Sequence, residues 1–311
     1  MSVRLVFCVL TFALSLLNFD CAAGLAVQPL RVMTFNIWVG GEGGGQPIEQ
    51  TAAVVRAANA DIVGIQEALG AERDGKRPNN GRAVARLLGW QYFDQGGGMG
   101  VMSRYEITAN SPKRWGAEIA APTGKVWMFN VHLAHAPYQP YQLLRIPYAD
   151  APFIETAEDA VAEAIKARHS ALSEMLGEIA AINDQTMPIF VTGDFNEPSA
   201  LDWTEQVYAA GKCPKCVSWP TSGAVLKAGF IDAFRQVHPD PIEKPGFTWT
   251  PTTSSEDPKD RHDRIDFVLV RGKGIKVTDV ATVGENHANA DIVVTPYPSD
   301  HRGVVATITM Q

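Results

Sequence analysis

The sequence predicts a layered α/β fold, and three observations carry that expectation. Eight apolar runs of strand length recur along the chain, and helical patterns lie between several of them. Many of the runs also end on a carboxylate, an amide or an imidazole, groups that are costly to bury without a partner. Of the 311 residues, 46% are apolar, enough to fill one large core or two modest ones.

In chain order, the first segment is "MSVRLVFCVLTFALSLLNFDCAAGLA", residues 1–26. One basic residue, Arg4, precedes an apolar stretch from Leu5 to Leu17 and a tail of small residues, the layout of a cleaved signal peptide. The stretch is shorter than the roughly 20 apolar residues that a membrane span needs. The expectation is a secreted or periplasmic protein without a stable membrane span, whose single domain covers 27–311. Strands are expected at 30–37, 61–66, 99–103, 125–133, 187–193, 247–250, 264–270 and 303–309. Helices are expected near 48–58 and 81–88 and, most clearly, over 157–182. There Thr156 is placed to cap the helix, Glu158 and Asp159 occupy its first turn, and Val161, Ile165, Leu172, Leu176 and Ile179 share a face.

Net charge is −7 and no cluster of lysines and arginines forms a basic arm, which argues against duplex binding by charge alone. The glycine clusters "GGEGGGQ" (40–46) and "QGGGMG" (95–100) lack the other residues of a nucleotide-binding loop and read as flexible connections. Two of the four cysteines, Cys8 and Cys21, fall in the leader or its tail, leaving Cys213 and Cys216 in "GKCPKC". Outside the cytoplasm that pair reads as a small disulfide loop, with a thiol redox centre as the alternative.

The strand ends carry the chemistry. Side chains alternate along a strand, so in "VTGDFN" Asp194 and Asn196 share one side while Phe195 turns to the other. In "MTFNIW" Asn36 closes the face of Val32 and Thr34, and "GIQEA" ends its run on Glu67. In "FNVHLAH" His132 follows Asn130 on one face, in "RIDFV" Asp266 shares a face with Val268 and Val270, and "SDHRGV" brings Asp300 and His301 before the last strand. Each alone has an ordinary structural reading. Together they form one coherent donor set for an oxygen-ligated metal and a phosphate.

In this order those motifs resemble the endonuclease/exonuclease/phosphatase superfamily, with its pancreatic-type deoxyribonucleases, abasic-site endonucleases and sphingomyelinases. The resemblance runs from about Leu30 to Met310. It implies a four-layer sandwich, two face-to-face mixed β-sheets flanked by helices, with the site at one end of the sheets. It also implies hydrolysis of phosphoester bonds, most simply the phosphodiesters of nucleic acid, with a lipid headgroup or small phosphorylated metabolite as the rival substrate. A noncatalytic binding module on the same fold is the alternative of another class. Mg²⁺ is the expected cofactor, with Mn²⁺ or Ca²⁺ compatible with the same oxygen ligands. Glu67 and Asp300 are its expected ligands, with Asn36 beside metal and phosphate. Asp194 is suited to align or deprotonate water, Asn196 to donate to the phosphate, and His301, oriented by Asp266, to contact phosphate or act as the base. Both routes for the proton stay open. His132 matches the family's histidine near the leaving group, although the glutamate that pairs with it in the pancreatic-type enzymes has no counterpart here. Asn130, Tyr138 and Tyr141 complete the set as substrate contacts, the tyrosines lying with Tyr148 on the long segment 135–153. Trp249 in "GFTWTP" is a further aromatic that can face the site or the core.

Overall fold

The computed structural model describes residues 28–184 and 186–310; the expected signal peptide, with Cys8 and Cys21, lies outside them. Among the described residues thirteen strands form: β1 Leu30–Asn36, β2 Ile62–Gln66, β3 Gln91–Gly96, β4 Met99–Ser103, β5 Ile107–Asn110, β6 Gly116–Ala121 and β7 Gly124–His132. β8 Ile189–Asp194, β9 Ile231–Asp232, β10 Asp266–Arg271, β11 Ile275–Gly284, β12 Ile292–Val293 and β13 Gly303–Met310 complete them. They build a seven-stranded sheet in the order β12-β11-β13-β1-β2-β4-β3 and a six-stranded sheet in the order β5-β6-β7-β8-β10-β9. Both are mixed: β1 runs parallel to β2, and β7 parallel to β8, among antiparallel neighbours.

Three apolar clusters define four layers. Between the sheets, Val32, Ile62 and Val304 from one meet Met128, Phe190 and Val268 from the other. Outside the larger sheet, Phe35, Val63 and Ile65 pack on Ala52 and Val55 of helix Ile48–Ala57 and on Val84 of helix Asn80–Leu88. Outside the smaller sheet, Phe129, Val191 and Leu269 pack on Leu172, Met175 and Ile179 of helix Ala157–Ala180 and on Val225. The central strands are buried on both faces, so they read as continuous apolar runs rather than alternating ones. The sheets approach closely at Gly64, where an added Cβ would lie 2.1 Å from Thr192 Oγ1 and 2.5 Å from Asn130 Oδ1.

The three expected helices form, with Thr156 Oγ1 accepting the Asp159 N–H as the N-cap of the longest. Its buried stripe is Ala160, Ala164, Arg168, Leu172, Met175 and Ile179, whereas Ile165 is 43% exposed. Arg168 sits in that stripe because Gln139 Oε1 accepts from Nη1 at 2.6 Å and the Pro137 carbonyl from Nη2 at 2.9 Å. The segment 247–250 is not a strand: Trp249 makes only isolated bridges to Asp263 and His301. β3, β5, β6, the two-residue β9 and β12 and the ten-residue β11 lie outside the expected strands; β11 and β5 are largely polar and exposed where they face solvent.

The expected Cys213–Cys216 disulfide is a correction, since both are free thiols. Cys213 turns into the cluster of Trp203, Val207, Val217 and Trp219 and donates to the Lys215 carbonyl, while Cys216 sits beside Glu205. Burial pushes the Cys213 thiol up to about 11, the opposite of what a reactive thiolate needs. No helix among the described residues is long and apolar enough to cross a membrane.

Candidate active site

The parallel pairs bring the site together. In register, Asn36 stands opposite Gln66, just before Glu67, and His132 stands opposite Asp194. β10 is antiparallel to β8 and starts with Asp266 opposite Asp194. The C-terminal ends of four strands thus meet the N-terminal end of a fifth, and the bridge from Trp249 fastens His301 beside them. A cavity of about 220 Å³ opens there, lined among others by Glu67, His132, Asp194, Asn196, Asp300 and His301.

Asp194 is the hub. Its Oδ2 accepts from Asn36 Nδ2 at 3.0 Å, and its Oδ1 accepts from the Asn196 N–H at 2.8 Å. His132 Nε2 and His301 Nε2 lie 3.6 and 3.7 Å from the same Oδ2. His301 Nδ1 is held 2.9 Å from Asp266 Oδ2. Burial of His301 disfavours its charge, but Asp266 and then Asp194 outweigh that and lift it to about 10. Buried Asp266 is raised by desolvation, with His301 opposing. Thr248 Oγ1 accepts the Asp266 N–H, and Thr250 Oγ1 donates to the Asp300 carbonyl, so the irregular 247–250 segment braces the backbone of both residues.

Glu67 occupies a left-handed backbone conformation, φ 54°, rare for a residue with a side chain. Its Oε2 accepts the Val39 N–H at 3.0 Å, and its carbonyl accepts from Gly40 N. The next residue, Ala68, donates its N–H to the Gly98 carbonyl at 2.7 Å. Both glycine clusters therefore brace the Glu67 turn. Gly40 is required there, because it has φ 65° and a Cβ would sit 2.6 Å from Gly70 N.

Glu67 and Asp300, both in the cavity lining, are the carboxylates that could hold a divalent cation. Asp300 Oδ1 is buried with no hydrogen-bond partner, and desolvation together with Glu67 and Asp194 raises its carboxyl to about 6, with His301 opposing. An unsatisfied carboxylate oxygen sharing a cavity with a second carboxylate suits a hard cation. Asp194, Asp266 and His301 also have ligand atoms within 4.8 Å of one another, but the His301–Asp266 hydrogen bond consumes that geometry as an oriented imidazole.

Residues 33–301 match the Endonuclease/Exonuclease/phosphatase family. The chain belongs to that family. A relative from Caenorhabditis elegans, the uncharacterized protein F14F9.5, is 26% identical over 90% of this chain and 91% of its own. The crystal structure of an endonuclease/exonuclease/phosphatase from Beutenbergia cavernae superposes with a TM-score of 0.57 at 20% identity, over 91% of this chain and 72% of that one. An AP endonuclease from Archaeoglobus fulgidus gives 0.54 at 14% identity, over 89% and 98% of the two chains. D. rerio TDP2, solved with a single-stranded DNA product, gives 0.52 at 16%, over 91% and 99%. These three likenesses establish a common fold.

Of the expected site residues, Asn36, Glu67, His132, Asp194, Asn196, Asp266, Asp300 and His301 converge. Asn130 does not reach the cavity, and its expected substrate contact is corrected. Its Nδ2 donates to the Ile65 carbonyl and Gln95 Oε1 at 2.9 Å each, and its Oδ1 accepts from Gln66 Nε2 at 2.6 Å. It is fully buried, joining the two sheets beneath the site. Asn196 lines the cavity with φ 49°, but its Nδ2 also donates to the Leu133 carbonyl at 3.0 Å. Tyr138 and Tyr141 line the wall with their rings, while their hydroxyls donate outward to Asp263 and Asp260. Tyr148 is the tyrosine that faces the centre: burial and then Asp194, Glu67 and Asp300 raise its phenol. Trp38 and His135 also line the cavity and escaped the sequence reading. Trp38 directly follows the "FNI" strand end, but its φ of 50° belongs to a turn that no local pattern announces.

Proposed function

We propose that this chain is an exported, divalent-metal-dependent phosphodiesterase. The observation that carries the reading is Asp194, fixed by Asn36 and Asn196 and flanked by two imidazoles, facing the Glu67–Asp300 pair across one cavity. Glu67 and Asp300 would hold Mg²⁺, which when bound supplies positive charge to the phosphate oxygens. Asp194 aligns a water and takes its proton as the new P–O bond forms. His301, oriented by Asp266, presents Nε2 to a nonbridging oxygen. His132, at the cavity edge, delivers a proton to the departing oxygen as the ester bond breaks. Export is supported by the leader-like pattern of residues 1–26.

Nucleic acid as substrate is supported by the solved relatives, whose names include an AP endonuclease and a TDP2 bound to a DNA product. A small or lipid-borne phosphodiester is favoured by the net charge of −7. The test is hydrolysis by the mature protein, with and without Mg²⁺, of plasmid DNA, RNA, sphingomyelin, phosphoinositides and a chromogenic phosphodiester. Metal-dependent turnover that Glu67→Ala abolishes is expected, and parental rates in that variant would refute the site. A nuclease using several phosphate contacts loses affinity steeply with salt, whereas an enzyme for a small diester does not.

A further inference from the structure

We propose that the site selects substrates carrying one isolated phosphate, with Tyr148 as the residue that packs against the group esterified to it. The inference rests on the phosphodiesterase reading and narrows its substrate class. Among the described residues lining the cavity there is no lysine or arginine, while Glu67, Asp194 and Asp300 supply carboxylates.

Four arginines near the site are turned to other partners, and Arg145, on the exposed segment that carries Tyr148, is paired with Glu155. Arg302, next to His301, is held by Glu285 and the Phe247 carbonyl. Arg264, two before Asp266, is clamped by Asp202 and Asp232, and Arg261 by Asp263 beneath Tyr138. Arg168 is spent on Gln139 and Pro137. A single phosphate can be balanced at this site by one bound cation and the imidazoles. A second phosphate would meet carboxylates with no cation of its own, and like charges at such distances repel.

The opposite wall is aromatic. Tyr138, Tyr141 and Tyr148 form an edge-to-face series with ring centroids 4.9 and 5.5 Å apart. The first two hydroxyls are bound to Asp263 and Asp260, which fixes their rings. Tyr148, 38% exposed, lies between Tyr141 and the His135 ring, which meets it edge-on at 6.3 Å, and still leaves ring surface for a flat group.

The test uses the full-length mature protein with Mg²⁺ and two chromogenic esters: thymidine 5′-(p-nitrophenyl phosphate) and the same ester carrying a second phosphate on its 3′-hydroxyl. Expected is at least a tenfold lower kcat/KM for the doubly phosphorylated ester, with the gap narrowing as salt rises. Calorimetry should show thymidine 5′-monophosphate binding more tightly than the 3′,5′-bisphosphate. Tyr148→Ala should raise KM for the thymidine ester about tenfold with kcat little changed, raise KM for methyl p-nitrophenyl phosphate by clearly less, and be rescued by Tyr148→Phe. Equal kcat/KM for the two thymidine esters overturns the selectivity, and equal losses on thymidine and methyl esters in Tyr148→Ala overturn the role of Tyr148. Hydrolysis of none of these esters with any divalent metal would instead remove the phosphodiesterase reading, and this inference with it.

Discussion

Replacing Asp194 by Asn puts the proposed mechanism to its most direct test. The carboxylate uses both oxygens as acceptors, Oδ2 for Asn36 Nδ2 at 3.0 Å and Oδ1 for the Asn196 N–H at 2.8 Å. An amide of the same shape has one acceptor oxygen, so whichever way it turns, its NH₂ faces one of those donors. One buried hydrogen bond is then lost and a donor left unsatisfied, a cost of about 1–3 kcal/mol. For a domain of this size that lowers Tm by roughly 2–4 °C per kcal/mol, a loss the fold should survive. The kinetic effect should be far larger. The variant cannot take a proton from water, and removing a positioned base costs typically 10²–10⁴-fold in rate. The assay is kcat on a chromogenic phosphodiester with saturating Mg²⁺, read beside a thermal melt. A folded Asp194→Asn protein with kcat within threefold of the parent would refute the assignment of Asp194. A variant that melts more than about 20 °C lower would show instead that the residue is chiefly structural.

Gly64→Ala should be strongly destabilising, about 1–3 kcal/mol or more by denaturant unfolding, because the new methyl meets Thr192 Oγ1 at 2.1 Å between two sheets that cannot both yield. Glu197, buried with Arg168 Nη1 4.0 Å away, is raised by desolvation to about 7 in the folded state against 4.5 as a free side chain. Its contribution to stability is therefore full below about pH 4.5 and lost as pH rises through 7. The stability difference between parent and Glu197→Gln, followed by urea unfolding, should change by up to about 3 kcal/mol across that window and be flat outside it. Cys213→Ala with Cys216→Ala should retain phosphodiester turnover within twofold, since both thiols lie outside the cavity lining; loss of turnover without loss of fold would reopen the thiol chemistry.

The candidate site was legible to an unusual degree because strand alternation is a local rule. Asn36, Glu67, His132, Asp194 and Asp266 all sit at or just beyond strand ends, where an apolar run meets a polar group. The same rule misled at Asn130. It shares the face of His132, but two residues further in that face meets the other sheet, and the amide was consumed there by Gln66 and Gln95. Period alone does not say how deep a position lies. Nor did it reveal β11, whose polar first half reads as loop until β13 supplies its partner.

By itself the sequence determined the central apolar strands, the three main helices and the ordered polar residues at strand ends, since each follows from side-chain period and composition within a few residues. Only the tertiary structure decided that His301 meets Asp266 and Asp194, that Cys213 points into a tryptophan cluster, and that Arg264 and Arg302 are spent on carboxylates away from the cavity. These are contacts between residues tens to hundreds of positions apart, and their partners are set by which strands pair and which faces the sheets turn toward each other.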